Sequence, residues 1–125
     1  MPTEEHMRAA LQRYLDALNN HDVASAVALF ADGATLEDPV GTGVADAAER
    51  LPKMFDQVPV GSTFTLDTPI RTSHGSAAAM AFTVRAVVDG APVEVRSVDV
   101  MEFDESGLIT HMNAYNGPSD VVLGQ

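Results

Sequence analysis

The sequence predicts an α+β fold in which helices come first and a meander of long strands follows. At 125 residues the chain has the length of one ordinary domain, and 46% of its residues are hydrophobic, as in a globular protein. Apolar residues recur at helical spacing before Gly61 and alternate with polar residues after it. We therefore expect residues 1–125 to form a single domain, with its helices on one face of a curved sheet.

A long amphipathic helix is predicted near the start of the chain, between Thr3 and Asn20. Its apolar side chains recur at helical spacing at Met7, Leu11, Tyr14, Leu15 and Leu18. Glu4 and Glu5 fall in the first turn, where the helix dipole favours acidic side chains. Tyr14 therefore lies within the stripe that the helix is expected to bury.

Two shorter helices are predicted between residues 22 and 58. Asp22 is a suitable N-cap for a helix through Phe30, because its carboxylate can accept from the first free backbone N–H groups. The third helical stretch covers residues 46–58. Since Pro52 lacks the N–H that a helix interior uses, the regular part of this helix is expected to begin near Leu51.

Strands are predicted for most of the remaining chain. A short strand over residues 34–38 closes at Pro39. Beyond Gly61, strands are expected at residues 63–71, 76–88, 92–103 and 108–115, and the turn signals SHG, DG and DESG separate them. The residues after Gly117 show no regular pattern and are expected to form a loose tail.

Composition and charge argue against several classes of function. Seven basic and eighteen acidic side chains give a net charge of −11, which repels nucleic acid and anionic lipid. No apolar run approaches the roughly 20 residues of a membrane span. The start of the chain is acidic, unlike a secretory signal, so we expect a cytoplasmic protein.

Metal and thiol chemistry are not expected either. The sequence contains no cysteine, which excludes thiolate nucleophiles and cysteine metal sites. The histidines match no ligand spacing, so surface positions are expected for His6, His21, His74 and His111.

Three ionisable side chains lie on predicted apolar faces. Asp99 alternates with apolar residues in the strand over residues 92–103, and shares its face with Val93, Val95, Ser97, Met101 and Phe103. Asp38 shares a strand face with Ala34 and Leu36, and Tyr14 lies in the helix stripe. An unpaired buried carboxylate is costly, so an inward aspartate is paired, neutral or catalytic.

Each of these residues also has a purely structural explanation. Tyr14 alone fits a core tyrosine with one hydrogen bond at its ring tip. Asp38 alone fits a carboxylate at a strand end, before a turn. For Asp99 the alternative is a buried salt bridge with Arg71, Arg85 or Arg96. The combination of all three favours a functional site.

Four stretches of the sequence carry a resemblance to a known family. They are QRYLDALNNHD around Tyr14, ALFADGATLEDPVG leading to Asp38, AAMAFTVRAVVDG, and SVDVMEFDESGLI around Asp99. With these stretches the chain resembles the Δ5-3-ketosteroid isomerases nearly end to end. The resemblance implies a nuclear-transport-factor-two-like fold, in which three helices pack on a curved, mostly antiparallel sheet that forms a cone-shaped pocket. It also implies a homodimer that needs no cofactor.

The resemblance implies roles for the three residues. Asp38 would be the base that takes a proton from the carbon between carbonyl and alkene and returns it two carbons along the dienolate. A carboxylate can carry a proton in this way without a cofactor. Tyr14 and a neutral Asp99 would form the oxyanion hole. Ketosteroid isomerase is itself a standard example of two aspartates with such divided roles.

A hydrophobic small molecule, a 3-oxo-steroid, is the implied substrate. The wall of the substrate pocket is expected to contain Phe30, Phe55, Met80, Phe82, Val84, Val95, Met101, Met112 and Asn116. The apolar members of this set are equally well explained as core residues. Relatives often have tyrosines where this chain has Phe30 and Phe55, and an aromatic residue in place of Asn116. Tyr14 is therefore expected to lack the usual supporting tyrosine network.

Two other classes of function remain open. Polyketide cyclases, dehydratases and epoxide hydrolases share the fold. Dehydratases use pocket histidines and epoxide hydrolases an Asp, Arg, Asp arrangement, and neither is evident in the sequence. The second class is a non-catalytic binding or dimerisation module, against which the inward Asp38 and Asp99 argue.

Overall fold

The computed structural model describes residues 1–124 and contains helices on a single sheet. The helices are α1 (Glu4–Asn19), α2 (Val23–Val27) and α3 (Ala47–Gln57). The strands are β1 (Phe30–Glu37), β2 (Ala45–Asp46), β3 (Thr63–Leu66), β4 (Ala77–Val88), β5 (Ala91–Phe103), β6 (Ile109–Tyr115) and β7 (Val121–Leu123). A short 3₁₀-helix, Pro118–Asp120, precedes β7.

Helix α1 follows its sequence pattern closely. Thr3 caps it, since its hydroxyl accepts from the backbone N–H of His6 at 3.0 Å. All of the predicted apolar stripe is buried: Met7, Leu11, Tyr14, Leu15 and Leu18. At its end, the Asn19 amide donates to the backbone oxygen of Phe64 at 2.9 Å and accepts from the Phe64 N–H at 2.8 Å. These two bonds fix α1 to β3.

The predicted boundaries of α2 and α3 need correction. Asp22 does cap α2, but the helix ends at Val27, because Phe30 already pairs with Ile109 of β6 at the start of β1. Helix α3 begins at Ala47 and not near Leu51, so it contains Pro52. Asp46 caps it by accepting from the N–H of Glu49 at 3.1 Å. The cap and the buried stripe of Ala47, Leu51 and Phe55 hold the helix despite the proline.

The sheet has the strand order β2-β1-β6-β5-β4-β3, and β7 also pairs with β5. Every pairing is antiparallel except that of β1 with β6, which is parallel. Asp89 and Gly90 form the predicted hairpin turn between β4 and β5, both with positive φ, at 51° and 80°. The predicted α+β class, with helices on a mostly antiparallel sheet, is confirmed.

Three strand predictions were wrong in detail. Strand β1 starts at Phe30, four residues before the alternating pattern, and its register with β6 shifts between Phe30 and Thr35. Strand β3 ends at Leu66, and Arg71 makes only an isolated bridge with Ala79. The expected loose tail is ordered, because β7 pairs with the first half of β5 and the N–H of Gly124 donates to the oxygen of Pro92 at 2.7 Å.

Other expectations concern membrane crossing and the histidines. Within residues 1–124, no helix is both long and apolar enough to cross a membrane. No set of acidic and histidine side chains in the described part of the chain is arranged to hold a metal ion. His6, His21 and His74 are exposed as predicted, whereas His111 is half-buried and hydrogen-bonded to Thr35.

Candidate active site

A pocket of about 360 Å³ lies between the sheet and helices α1 and α3. Tyr14 and Leu18 of α1 form one wall, and Arg50, Met54 and Gln57 of α3 form another. The sheet and its loops contribute Asp38, Pro39, Val58, Phe64, Phe82, Val84, Val95, Ser97, Asp99 and Asn116. The structure thus brings the three predicted catalytic residues to one pocket.

Asp38 directly follows β1, where Pro39 ends the strand and leaves the carboxyl group at the pocket wall. Its side chain is half-buried. Burial raises the pKa of this carboxyl, while a hydrogen bond from Asn116 and the positive charge of Arg50 act against that rise. Asp38 is therefore a carboxylate whose charged form has two stabilising neighbours.

Asp99 lies in the middle of β5 and is 2% exposed. Burial raises its pKa well above the usual range, the negative charge of Asp38 raises it further, and a hydrogen bond from Ser97 works the other way. The Ser97 hydroxyl donates to Oδ1 of Asp99 at 3.0 Å. These surroundings favour a neutral acid.

The alternative that Asp99 belongs to a buried salt bridge is wrong for the described residues. Arg85 and Arg96 both pair with Glu94, at 3.3 and 2.8 Å. Arg71 instead donates to the backbone oxygen of Pro69 and to the hydroxyl of Thr68.

Tyr14 is 1% exposed, and its hydroxyl opens on the pocket. Over residues 1–124 this hydroxyl makes no hydrogen bond to another side chain or to the backbone. Since every fully buried side-chain oxygen and nitrogen in these residues has a partner, the Tyr14 hydroxyl must reach the open space of the pocket. Burial, then the charges of Asp99 and Asp38, raise the pKa of Tyr14. The ring of Phe30 meets the Tyr14 ring edge-on, with 6.1 Å between the ring centroids, and carries no hydroxyl.

The predicted substrate wall divides into two groups. Phe82, Val84, Val95 and Asn116 line the pocket. The other predicted members are packed in the core and do not line it: Phe30, Phe55, Met80, Met101 and Met112. The physical reason is that each of these five fills space between the helices and the sheet, which is the structural explanation that their sequence pattern equally allowed.

Several pocket residues escaped the sequence reasoning. Ser97 had a usable signal, because it lies two positions before Asp99 on the same strand face. Arg50, Met54 and Gln57 follow one another at helical spacing, but the expectation that α3 begins near Leu51 hid this face. Leu18 lies one helical turn after Tyr14 in the predicted stripe, whereas Pro39, Val58 and Phe64 had no local signal.

The geometry suits proton transfer beside a carbonyl group. A carboxylate with stabilised charge can act as a base, and a neutral acid and a tyrosine hydroxyl can donate to a developing oxyanion. Apolar side chains such as Phe82, Val84 and Val95 line the pocket beside these polar groups.

Comparison with known proteins gives three relationships. The SnoaL-like domain family matches residues 11–112. The chain is 34% identical over 119 residues to a steroid Delta-isomerase of Nocardioides simplex, which covers 94% of each chain. The solved structure of the epoxide hydrolase/cyclase-like enzyme SalBIII, which functions in pyran ring formation in polyether salinomycin, aligns with a TM-score of 0.86 at 24% identity. That alignment covers 98% of this chain and 99% of the other, and establishes a shared fold.

Proposed function

Because the chain belongs to the ketosteroid isomerase family and carries a SnoaL-like domain, it is an enzyme of the isomerase and cyclase type, and we propose that it converts a Δ5-3-ketosteroid to the conjugated Δ4-3-ketosteroid. The observation that carries this proposal is the meeting of Asp38, Tyr14 and Asp99 in one pocket. Similarity to a steroid Delta-isomerase supports a steroid substrate less strongly than the presence of these three residues in one pocket does.

The reaction begins with Asp38. Its carboxylate removes a proton from C4 of the steroid, between the C3 carbonyl and the C5–C6 double bond. The electrons move into the carbonyl, which gives a dienolate. Asp38 then returns the same proton to C6, so the double bond ends between C4 and C5. No redox change occurs, and the base is regenerated.

Tyr14 and Asp99 stabilise the dienolate oxygen. Both donors face the pocket, and both have pKa values that burial holds above the usual range. A neutral Asp99 can donate a hydrogen bond, which a carboxylate cannot do. Phe82, Val84 and Val95 supply an apolar surface for the steroid rings.

A homodimer is part of the proposal. The sheet face opposite the pocket exposes Val98 and Tyr115, which are direct cross-strand partners of β5 and β6, and on the same face β7 exposes Val122, the partner of Glu94. Sedimentation at micromolar concentration should give the mass of two chains. A purely monomeric protein would contradict the proposed homodimer and leave the proposed isomerase reaction unaffected.

An ultraviolet assay with 5-androstene-3,17-dione tests the function. The conjugated enone should accumulate with the parent protein and not with Asp38→Asn as matched control. If the parent produces no enone above the uncatalysed rate, while binding studies show the steroid in the pocket, the chain is a binding module and the proposal fails.

One observation favours a second candidate, opening of an epoxide. Arg50 shares the pocket with Asp38 and Asp99. Together they form an Asp, Arg, Asp set of the kind that epoxide hydrolases use, which was not evident from the sequence. Asp99 would give its proton to the epoxide oxygen as the C–O bond breaks, and Asp38 would take the proton of the attacking hydroxyl group. Incubation with an epoxide that bears a neighbouring hydroxyl, followed by product analysis, separates the two candidates.

A further inference from the structure

Two polar side chains of the pocket, Asn116 and Ser97, form a chain of hydrogen bonds that leads to the carboxyl group of Asp99. Asn116 Nδ2 donates to the Ser97 hydroxyl at 3.1 Å, and that hydroxyl donates to Asp99 Oδ1 at 3.0 Å. Ser97 is 6% exposed, so its hydrogen bonds are shielded from bulk water. Both residues line the pocket.

The direction of these bonds has a consequence for Asp99. Because Oδ1 accepts from Ser97, the proton of a neutral Asp99 belongs on Oδ2, and Oδ2 has no partner among the described side chains. The amide of Asn116 occupies a lone pair of the Ser97 oxygen and thereby directs the Ser97 proton toward Asp99. Without this pair, the carboxylic acid could rotate and present either oxygen.

We propose that Ser97 and Asn116 are positioning residues that keep the acid proton of Asp99 on the oxygen facing the substrate. The assignment rests on the proposed function, because it takes Asp99 as the donor to the dienolate. Asn116 also lies near the base, Asp38, and lowers the pKa of that carboxyl.

The other charged and titratable groups around the pair belong to other elements of the fold. Asp99 faces Asp38 at the end of β1 and Tyr14 of α1. Asp38 also faces Arg50 of α3. Shifts caused by the substitutions therefore report on the two hydrogen bonds.

The test compares Ser97→Ala and Asn116→Leu with the parent in steady-state isomerase assays across pH. Each change should lower kcat about 2- to 10-fold, the worth of one hydrogen bond, and Ser97→Ala should leave KM nearly unchanged. Loss of the Ser97 bond raises the pKa of Asp99, so the alkaline limb moves to higher pH. Loss of the Asn116 bond raises the pKa of Asp38, so the acidic limb moves to higher pH.

Controls separate positioning from mere packing. Ser97→Thr keeps the hydroxyl on a β-strand and should retain the parental profile. Thr83→Val removes another buried sheet hydroxyl, which bonds Asp67 away from the pocket, and should leave both limbs unmoved. In the Ser97→Ala background, Asn116→Leu should still move the acidic limb but leave the alkaline limb where Ser97→Ala placed it, because Asn116 acts on Asp99 only through Ser97.

Carboxyl-carbon NMR of aspartate-labelled protein gives a readout that needs no turnover. Ser97→Ala should raise the titration midpoint of Asp99, and Asn116→Leu that of Asp38. If the parent isomerises steroids but neither midpoint nor pH limb moves, the positioning proposal is overturned and the function stands. If the parent converts no 3-oxo-steroid, the function fails, and the NMR titrations still decide whether the pair sets the two carboxyl groups.

Discussion

Asp38 and Asp99 face one pocket, but they differ in burial and in the charges beside them. Asp38 is half-buried, and both Asn116 and Arg50 lower its pKa against the effect of burial. Asp99 is 2% exposed, and the charge of Asp38 adds to burial in raising its pKa. An ionised base beside a neutral acid is the combination that a proton shift next to a carbonyl needs.

Replacement of Asp38 by Asn should abolish nearly all isomerase activity and leave the fold and steroid affinity intact. The amide keeps the shape of the side chain and cannot accept the proton. A general base contributes a factor of about 100 to 10,000, so kcat should fall at least that far. Turnover within tenfold of the parent would show that another group is the base.

Asp99 can be tested by comparing two substitutions. Asp99→Asn should be mild, because an amide still donates a hydrogen bond, whereas Asp99→Leu leaves Tyr14 as the only donor. Loss of one such donor costs roughly 2.7 to 4 kcal/mol in the barrier. Turnover and thermal stability are measured on the same samples. Equal losses that follow stability in both variants would make Asp99 a structural residue.

At this scale the sequence predicts the catalytic candidates better than the pocket wall. Asp99 and Tyr14 were recognisable because a polar group on an apolar face is costly, and that cost is local. The residues of the pocket wall could not be recognised in the same way. Met80 and Phe82 lie two positions apart on one face of β4, yet only Phe82 reaches the pocket. Which of them does so depends on the depth of packing beneath the helices.

Among the elements, long regular ones were predictable and junctions were not. Strand β5 buries the face that alternation assigns to it, including Ser97 and Asp99. The junction of α2 and β1 differs from the prediction, because Phe30 pairs with Ile109 of the parallel strand β6, which lies far along the chain. Strand β7 likewise forms only because β5 offers an unpaired edge at Val93 to Val95.

The contact of α1 with β3 gives a prediction at the scale of elements. Asn19→Ala removes both hydrogen bonds to the Phe64 backbone and should lower the free energy of unfolding by about 1–3 kcal/mol. Since Phe64 lines the pocket, KM should rise more than kcat falls. Asn20→Ala is the matched control, because Asn20 is equally exposed and its side chain makes no hydrogen bond within residues 1–124. Equal unfolding midpoints for the two variants would refute the role of the Asn19 bonds.

For the whole molecule, the order of elements determined the fold class, because helices before a meander of strands have few ways to form one core. The parallel pairing of β1 with β6 lies outside such reasoning. It joins segments more than seventy residues apart, such as Thr35 with His111, and the local pattern of neither strand specifies that partner.

The pH dependence of stability tests the protonation of Asp99 in the intact protein. Its raised pKa means that, above about pH 4, the folded state keeps a proton that the unfolded state has lost. Stability contributed by this group therefore falls as pH rises, until Asp99 ionises in the folded protein. Asp99→Asn has no such proton, so its stability relative to the parent should increase steadily from about pH 4 upward. Urea unfolding of both proteins at several pH values measures this difference. Because Asp38 titrates in both, a difference that stays constant with pH would mean that Asp99 ionises normally in the fold, and the neutral acid in the proposed oxyanion hole would have to be abandoned.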